Sequence, residues 1–355
     1  YSGTFDGQGH TLTLNWNAGS ARQLAPFQNV KGATIRNLRT QGYIKSITYG
    51  LSGLIYSVDG ATTISGCVSN VDLTSSYDKN AGCDASGMVH HVTSGASVEF
   101  TDCLVKGKFH ATTDNGKKGM GGFVYGQYGT CKLTNCLYAG ENNATTGSNT
   151  FAANATINNC YYLNACGTAQ GKQVTKDQLR SGEVAHKLQA GWGEYTIWGQ
   201  DLDSDAQPMP TNAPLKMVYE VKFSYNGNVV ATRYATHGKA IYGALPTEPD
   251  LLGTLYDPAK NYTLIFEKGF NTVTDVYKDR TVAVSILANN NFAIATKDDW
   301  KEFSELVYSR HYNLDARMTA DVDLGGDIKT IGDGVHKYSG TFDGQGHTLT
   351  LNWNA

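Results

Sequence analysis

Five stretches of this sequence share one short pattern: residues 32–38 read GATIRNL, 60–67 GATTISGC, 96–103 ASVEFTDC, 129–136 GTCKLTNC and 154–160 NATINNC. Each ends in an anchor residue, and an apolar side chain lies three positions before it. The anchors are Leu38, Cys67, Cys103, Cys136 and Cys160, and their apolar partners are Ile35, Ile64, Phe100, Leu133 and Ile157. Successive anchors are 29, 36, 33 and 24 residues apart. The pattern therefore indicates one structural element that is used repeatedly.

This pattern predicts short strands that are joined by turns rich in Gly, Asn and Asp. A second phrase precedes most anchors, as SGLIY at 52–56, SGMVH at 86–90 and GGFVY at 121–125. A single repeat cannot bury its own apolar face, so successive repeats must stack, at about 4.8 Å per layer. We therefore expect an all-β-dominated protein that is mainly a right-handed parallel β-helix. The segment HTLTLN is predicted to continue the series, with Leu12 in the apolar position and Asn15 in the anchor position.

A much longer repeat is exact. Tyr1–Ala18 reads YSGTFDGQGHTLTLNWNA, and Tyr338–Ala355 is identical at all 18 positions. We call these segments the first copy and the second copy. Their offset of 337 residues predicts a tandem array, of which this chain holds one unit and the start of the next. Because the pattern is already under way at Tyr1, we expect the natural unit to begin near Ile286.

The composition is typical of a β-rich exported protein. The chain has 355 residues, a formal net charge of −3 and 40 glycines. Charged residues make up 17% of the chain, against about 25% in an average soluble protein. The near-neutral balance argues against nucleic acid as a partner, because a polyanionic backbone requires a basic surface. No apolar run of the sequence approaches the ~20 residues of a membrane-spanning helix.

Changes of pattern along the chain predict four segments. Residues 1–168 hold the strand repeats, and 169–215 hold a C-terminal cap helix and a linker. Residues 216–285 alternate apolar and polar side chains in several short strands, which predicts a small β-grasp-like spacer. Residues 286–355 hold an N-terminal cap helix and the first strands of the next repeat.

Two amphipathic helices are predicted beside the strand repeats. The segment TKDD at 296–299 is a capping box before an apolar stripe, which predicts a helix at about 297–308. The segment TKDQ at 175–178 predicts a weaker helix near 176–189. The open end of a strand stack carries unpaired backbone groups, so we expect both helices to act as terminal caps.

Three phrases together resemble a known group of proteins. They are DWKEFSELV at 299–307, ARMTADVDLGGDIKTIG at 316–332 and YSGTFDGQGHTLTL in both copies. Followed by the strand repeats, they resemble the GLUG-type β-helix region of large surface proteins of Bacteroidetes and Firmicutes. Residues 217–286 resemble the Listeria–Bacteroides repeat, a β-grasp-like spacer similar to internalin B-repeats. The resemblance implies an extracellular adhesin or stalk on the bacterial surface, and it supplies no catalytic residues.

Four of the seven cysteines share the anchor position, so stacking is expected to place them in one inward-facing line: Cys67, Cys103, Cys136 and Cys160. Free buried thiols are the favoured interpretation, and one bridge between neighbouring layers is the alternative. The other three lie outside this register and are the better disulfide candidates in an oxidising compartment: Cys83, Cys131 and Cys166. Zinc is not expected, because no C-x-x-C pair occurs.

Asp201, Asp203 and Asp205 alternate in the segment QDLDSDAQP. Alternating carboxylates are ligands for Ca²⁺ in EF-type loops. Because Ala206 stands where such a loop needs Gly, an ordinary acidic loop is favoured, and a structural calcium is the alternative. No other cofactor is predicted.

Tyrosines are frequent among the Asn and Thr residues of the strand repeats. Tyr43, Tyr49, Tyr125 and Tyr128 are candidates for glycan contacts, because ring faces stack on sugar C–H groups while nearby amides and hydroxyls form hydrogen bonds. The simpler explanation is strand packing, since Tyr is favoured in strands.

The sequence therefore predicts a structural protein and not an enzyme. We expect one unit of a tandemly repeated extracellular fibre, stalk or filament with an adhesin role, whose partners are neighbouring copies of the same repeat. One alternative is an adhesin module that binds a glycan or a host surface through a face of the β-helix. The other is a polysaccharide-degrading β-helix enzyme, which needs two or three converging carboxylates.

Overall fold

The structure is a computed structural model of the chain. It describes residues 1–78, 84–145, 147–189, 198–211, 213–260, 262–267, 270–288, 291–327 and 329–352. Strands make up 42% of the structure and helices 12%, so the predicted dominance of β-structure is confirmed. Several of the sheets are parallel.

The chain divides into two compact units. The first unit consists of Tyr1–Glu220, Tyr234–Tyr242 and Asp275–Lys278. The second unit consists of Val221–Arg233, Gly243–Thr274 and Asp279–Ala355. The strand repeats lie in the first unit.

Four parallel sheets make up most of the first unit. The first sheet contains Thr4–Asp6, Thr34–Arg36, Ala61–Ser65, Ser97–Thr101, Thr130–Thr134 and Thr156–Asn158. The second sheet contains Thr11–Asn17, Arg39–Ser46, Val68–Ser75, Leu104–Val105, Lys108–Ala111, Leu137–Tyr138, Glu141–Asn142, Tyr161–Tyr162 and Lys172–Gln173. The third sheet contains Leu51–Ser52, Ala85–Ser86 and Met120–Gly121, and the fourth contains Phe27–Lys31, Ile55–Asp59, Val89–Val92 and Val124–Gln127.

Between Phe27 and Asn142 the chain visits these sheets in a constant order. From the fourth sheet it enters the first, then the second, then the third, and it returns to the fourth to begin again. In the first sheet, Ile64 pairs with Ile35 on one side and with Phe100 on the other. The residues that share the apolar position in the sequence pattern are therefore direct neighbours in the sheet.

The predicted place of HTLTLN in this series is wrong. Phe5, and not Leu12, pairs with Ile35 in the first sheet. Leu12 lies one sheet further along and pairs with Thr40. The physical reason is the turn that follows the strand Thr4–Asp6, which already carries the chain from the first sheet to the second.

The residue before each anchor turns the chain from the first sheet into the second. These residues have φ between 49° and 60°, and they are Asn37, Gly66, Asp102, Asn135 and Asn159. Gly, Asn and Asp enter this left-handed region more readily than other residues, which explains why only these types occur here. All five anchors that follow are buried. Each repeat therefore turns from the first sheet to the second with a residue of positive φ that is followed by a buried anchor residue.

The helix predicted near 176–189 is in fact two helices, Lys176–Arg180 and Glu183–Gln189. Gly182 separates them with φ of 92°, a conformation that an α-helix cannot continue through. The predicted capping box is present at the start of the first helix. Apolar side chains of both helices pack in a cluster that includes Tyr161 of the second sheet.

The remaining elements of the first unit are short. They are the antiparallel pair Trp198–Gly199 and Met209–Pro210 and the 3-10 helices Gly116–Lys118 and Pro214–Lys216.

A four-stranded sheet follows, in the order Asn228–Thr236, Val218–Tyr225, Arg280–Ala288 and Tyr262–Phe266. Phe223 pairs with Val282 in parallel, whereas Ile265 pairs with Ser285 in an antiparallel arrangement. The segment between the strands Asn228–Thr236 and Tyr262–Phe266 contains the helix Glu248–Leu252 and the 3-10 helix Gly253–Leu255.

The end of the second unit contains two small parallel sheets. One contains Asn291–Ile294, Asp315–Met318 and Phe342–Asp343, and the other contains Val322–Asp323 and Leu349–Thr350. The helix Lys297–Tyr308 has the predicted bounds 297–308 and begins at the predicted capping box. Its buried side chains, among them Phe303, pack on these strands.

Candidate functional site

Outward-facing side chains of the second sheet form regular rows across its strands. The parallel register places Tyr43 beside Asp72 and Lys45 beside Thr74. Thr74 is in turn beside His110 on the next strand. Neighbouring strands lie about 4.8 Å apart, so the side chains of one row can contact a single ligand together.

These rows line a shallow groove of about 460 Å³. Its lining residues are Tyr43, Lys45, Asp72, Thr74, Lys108 and His110. The ammonium group of Lys45 lies 5.3 Å from the centre of the Tyr43 ring, a distance at which a cation is attracted to an aromatic face. The groove therefore combines an aromatic ring, a hydroxyl group and several charged groups.

Charges in the groove are partly neutralised by local contacts. The carboxylate of Asp72 accepts a 2.9 Å hydrogen bond from the backbone N–H of Lys108. The Lys108 ammonium forms a 3.2 Å ion pair with Glu141, and both side chains are exposed. In the part of the chain that the structure describes, no carboxylate pairs with Lys45. Lys45 is thus the cation that an anionic ligand can reach.

The four tyrosines proposed for glycan contacts do not share one surface. Tyr43 lies in the groove. The Tyr49 ring is 5.2 Å from the Tyr77 ring, so it is engaged in a local aromatic contact. Tyr125 lies on a strand of the fourth sheet, and Tyr128 follows the same strand with 69% of its surface exposed. Only Tyr43 lies in the groove of the second sheet.

An aromatic column on the fourth sheet was not predicted. The rings of Tyr56 and His90 stack at 4.6 Å with an angle of 15°. The Tyr125 ring lies 5.4 Å from the His90 ring on the other side. Beside this column, His91 contacts Tyr128 at 5.0 Å. The signal was present in the sequence, because the phrases SGLIY, SGMVH and GGFVY each end in an aromatic residue.

His90 lies inside this column with only 5% of its surface exposed. Among the described residues, neither of its ring nitrogens has a hydrogen-bond partner. Burial, and to a lesser extent the neighbouring His91, lower the pKa of His90 to about 3. The ring is therefore neutral at physiological pH and serves as an aromatic packing group.

The four anchor cysteines are buried free thiols. Each donates a hydrogen bond to the carbonyl oxygen two residues before it, at 3.5 Å for Cys67, 3.3 Å for Cys103, 3.3 Å for Cys136 and 3.2 Å for Cys160. Burial raises the pKa of Cys67 and of Cys136. The hydrogen bond with Cys136 lowers the pKa of Cys160. Protonated buried thiols such as Cys67 and Cys136 are core groups and weak nucleophiles.

Two of the three disulfide candidates are also free thiols. Cys131 lies in the first sheet beside Val98 and is buried. Cys166 is buried and contacts the hydroxyl group of Tyr138. Burial raises the pKa of each thiol to about 12. Neither forms a disulfide in this structure, and Cys83 lies outside the described residues.

The alternating aspartates contact lysine side chains. The Lys239 ammonium lies 2.7 Å from Asp201 and 2.8 Å from Asp203. The Lys216 ammonium lies 2.8 Å from Asp205. The hydrogen bond from Lys239 lowers the pKa of Asp201. In the described ranges, no group of three or more His, Cys, Asp or Glu is arranged to hold a metal ion.

No family model matches the chain, and no curated protein matches it. The fold is similar to a solved structure from Bacteroides ovatus that is described as "a putative immunoglobulin A1 protease", with a TM-score of 0.41 and 13% identity over 59% of this chain and 77% of that chain. None of the helices in the described residues has the length and apolar character needed to cross a membrane.

Proposed function

We propose that this chain contains one 337-residue unit, and the start of the next, of a tandemly repeated extracellular fibre or stalk on a bacterial surface, with an adhesin role. The observation that carries the proposal is the exact repetition of the first copy in the second copy. Identical units joined in tandem build an elongated array. Parallel strands paired in register along each unit provide the stiffness that a stalk needs.

The proposal includes a finer description of the fold. The four parallel sheets are taken as the faces of a right-handed parallel β-helix, the usual hand for connections between parallel strands. The helix Lys176–Arg180 is taken as the cap at the end of this β-helix, and the helix Lys297–Tyr308 as the cap at the start of the next repeat's β-helix. The four-stranded sheet that includes Arg280–Ala288 is taken as a β-grasp-like spacer between successive β-helices. The constant order in which the chain visits the sheets supports this description.

Electron microscopy of recombinant chains with one, two and three 337-residue units tests the fibre proposal. If each unit is a rigid element, every added unit lengthens the particle by the same increment. Compact particles whose length does not grow with the number of units contradict a stalk. Labelling of intact cells with a membrane-impermeant amine reagent tests the surface location separately.

A second candidate function is the binding of an acidic glycan in the groove of the second sheet. The juxtaposition of the Tyr43 ring with the Lys45 ammonium favours it, because a ring face stacks on sugar C–H groups while a cation pairs with a carboxylate or sulfate. Thr74 and His110 supply further hydrogen-bonding groups in the same groove.

A glycan array that includes neutral and acidic polysaccharides tests this second candidate. Binding is expected for acidic glycans, and it should decrease in Lys45→Ala and Tyr43→Ala and at higher ionic strength. Tyr128→Ala is the matched control, because it removes an exposed tyrosine from a different sheet. Equal losses in Tyr43→Ala and Tyr128→Ala would argue against the groove.

Hydrolysis of polysaccharides is not proposed. Asp72 is the one carboxylate among the described residues that line the groove, whereas glycoside hydrolysis uses a pair of them. The buried carboxylate of Asp102 has a structural contact instead, because it accepts a 3.0 Å hydrogen bond from the indole N–H of Trp198.

A further inference from the structure

A smaller cavity adjoins the groove of the second sheet. Its volume is about 160 Å³, against about 460 Å³ for the groove. Lys45 and Thr74 line both spaces, so the two share a border. We call the smaller space the side cavity. Pockets that hold a small organic molecule usually measure about 300 to 1,000 Å³. The groove therefore has the size for a sugar ring, and the side cavity has the size for a substituent of a sugar.

The side cavity lies beyond the groove in the direction of the strands. Lys45 and Thr74 are neighbours in the parallel register, and Ile47 and Ser76 follow them by two residues. A 3.2 Å hydrogen bond from the N–H of Ser76 to the carbonyl of Ser46 continues the pairing at this point. Two residues of extended chain advance by about 6.6 Å. The side cavity is therefore displaced from Lys45 by about this distance along the sheet.

The side cavity combines an apolar surface with a hydroxyl group. Ile47 lines it and is 60% exposed. Among the described residues between 20 and 210, Ile47 and Tyr128 are the large apolar side chains that stay well exposed. Ser76 also lines the cavity, and its hydroxyl can both donate and accept a hydrogen bond. An acetamido group matches this combination, because it has a methyl group for the apolar surface and an amide for the hydroxyl.

The positive charge of Lys45 is directed into the groove. Its ammonium group lies 5.3 Å from the centre of the Tyr43 ring, which lines the groove and not the side cavity. Asp72 is beside Tyr43 in the register, two residues before Thr74. The carboxylate of Asp72 is thus farther from the side cavity than Lys45 is, and it repels a ligand anion toward Lys45. The acidic group of a ligand is therefore placed next to the side cavity.

We propose that the second sheet binds a glycan in which an acidic sugar alternates with an N-acetylated sugar. The ring of the acidic sugar lies on Tyr43 with its carboxylate beside Lys45, and the acetamido group of the adjacent sugar enters the side cavity against Ile47. This inference rests on the second candidate function above, and it names the class of acidic glycan.

Calorimetric titration of the full 355-residue chain with defined oligosaccharides tests the proposal. Hexasaccharides of hyaluronan and of unsulfated chondroitin carry three carboxylates and three acetamido groups each, in different linkages. Trigalacturonate carries three carboxylates only, and chitohexaose carries acetamido groups only. We expect at least one of the two hexasaccharides to bind about tenfold more tightly than trigalacturonate, because a buried methyl group and one additional hydrogen bond are gained. Chitohexaose, which has no charge to pair with Lys45, should bind more weakly than this hexasaccharide.

Substitutions in the side cavity test where the preference arises. Ile47→Ser removes the apolar surface, so the preference should fall from tenfold to about threefold while the affinity for trigalacturonate stays the same. Ser76→Ala removes the hydroxyl and should also reduce the preference. The matched control is Leu215→Ser, because Leu215 is 72% exposed and lies outside both cavities. This control should keep the tenfold preference.

Two results overturn the inference. One is equal affinity for trigalacturonate and for both acetamido-bearing hexasaccharides. The other is a preference that neither Ile47→Ser nor Ser76→Ala changes. Failure here is distinguishable from failure of the second candidate function. If trigalacturonate binds equally well and Lys45→Ala weakens it, the groove still binds acidic glycans and only the assignment of the side cavity is wrong. If none of the acidic probes binds, both proposals fail.

Discussion

Because the ring of His90 is buried, we expect the free energy of unfolding of this protein to fall as the pH falls below neutrality. The unfolded chain binds a proton at His90 with a pKa of about 6.5, whereas the folded chain keeps the ring neutral until the pH reaches about 3. Below about pH 6.5 the unfolded state therefore binds more protons than the folded state. The free energy of unfolding therefore falls by about 1.4 kcal/mol for each pH unit in this range. The loss is about 2 kcal/mol from pH 7 to pH 5, and about 4 to 5 kcal/mol from pH 7 to pH 3.

The substitution His90→Phe isolates this effect, because it keeps an aromatic ring between Tyr56 and Tyr125 and removes the titrating group. Urea unfolding should be measured at pH 7 and pH 5 for the wild type, His90→Phe and His110→Phe. We expect His90→Phe to lose about 2 kcal/mol less than the wild type between the two pH values. His110→Phe replaces an exposed ring and should behave as the wild type does. Equal losses in the wild type and His90→Phe would falsify the reasoning.

Other substitutions probe the stacked core. Phe100→Ala should reduce the free energy of unfolding by about 3 to 5 kcal/mol, while its outward-facing neighbour Glu99→Ala should cost less than about 1 kcal/mol; similar urea midpoints for the two variants would contradict an inward-facing Phe100. Gly42→Ala should lower the melting temperature far more than Gly9→Ala. Both glycines have positive φ, but only at Gly42 would a Cβ lie 2.1 Å from a backbone oxygen of the adjacent strand. Equal shifts of the melting temperature would show that only the φ matters. Cys136 should react with a thiol reagent only after denaturation, since burial raises the pKa of its thiol; rapid labelling of Cys136 in the native protein, located by mass spectrometry, would exclude this buried position.

The layer-to-layer register could be predicted because one physical requirement recurs at a fixed place in every repeat. Ile64 and Phe100 must both fill the interior next to a corner, and they become direct neighbours in the first sheet. The bounds 297–308 of the last helix were predictable for a similar local reason. Its capping box and its apolar stripe lie within one segment and need no tertiary information.

Features that depend on connections between sheets were not predictable. The position of Leu12 depends on which turn crosses from the first sheet to the second, and several turns near it are compatible with the pattern. The groove requires Tyr43 and His110 to become near neighbours although 67 residues separate them in the sequence. The interruption of the helix at Gly182 comes from the positive φ of this residue, whereas the apolar pattern of the sequence continues through it. The free state of Cys131 follows from its position beside Val98, which the shared pattern does not specify.

The unequal spacing of the anchors has a consequence for protein engineering. The chain returns to the same position of the first sheet after 24 residues in one repeat and after 36 in another, with the parallel register kept. A difference of about a dozen residues thus leaves the ladder of the first sheet unchanged, although the shorter repeat contributes no strand to the third or fourth sheet. Loop closure costs only a little more for each added residue, so connections of different length are tolerated. The connections are therefore natural positions for grafted peptides, and an array of such units would present a foreign epitope many times at a regular interval along one polypeptide.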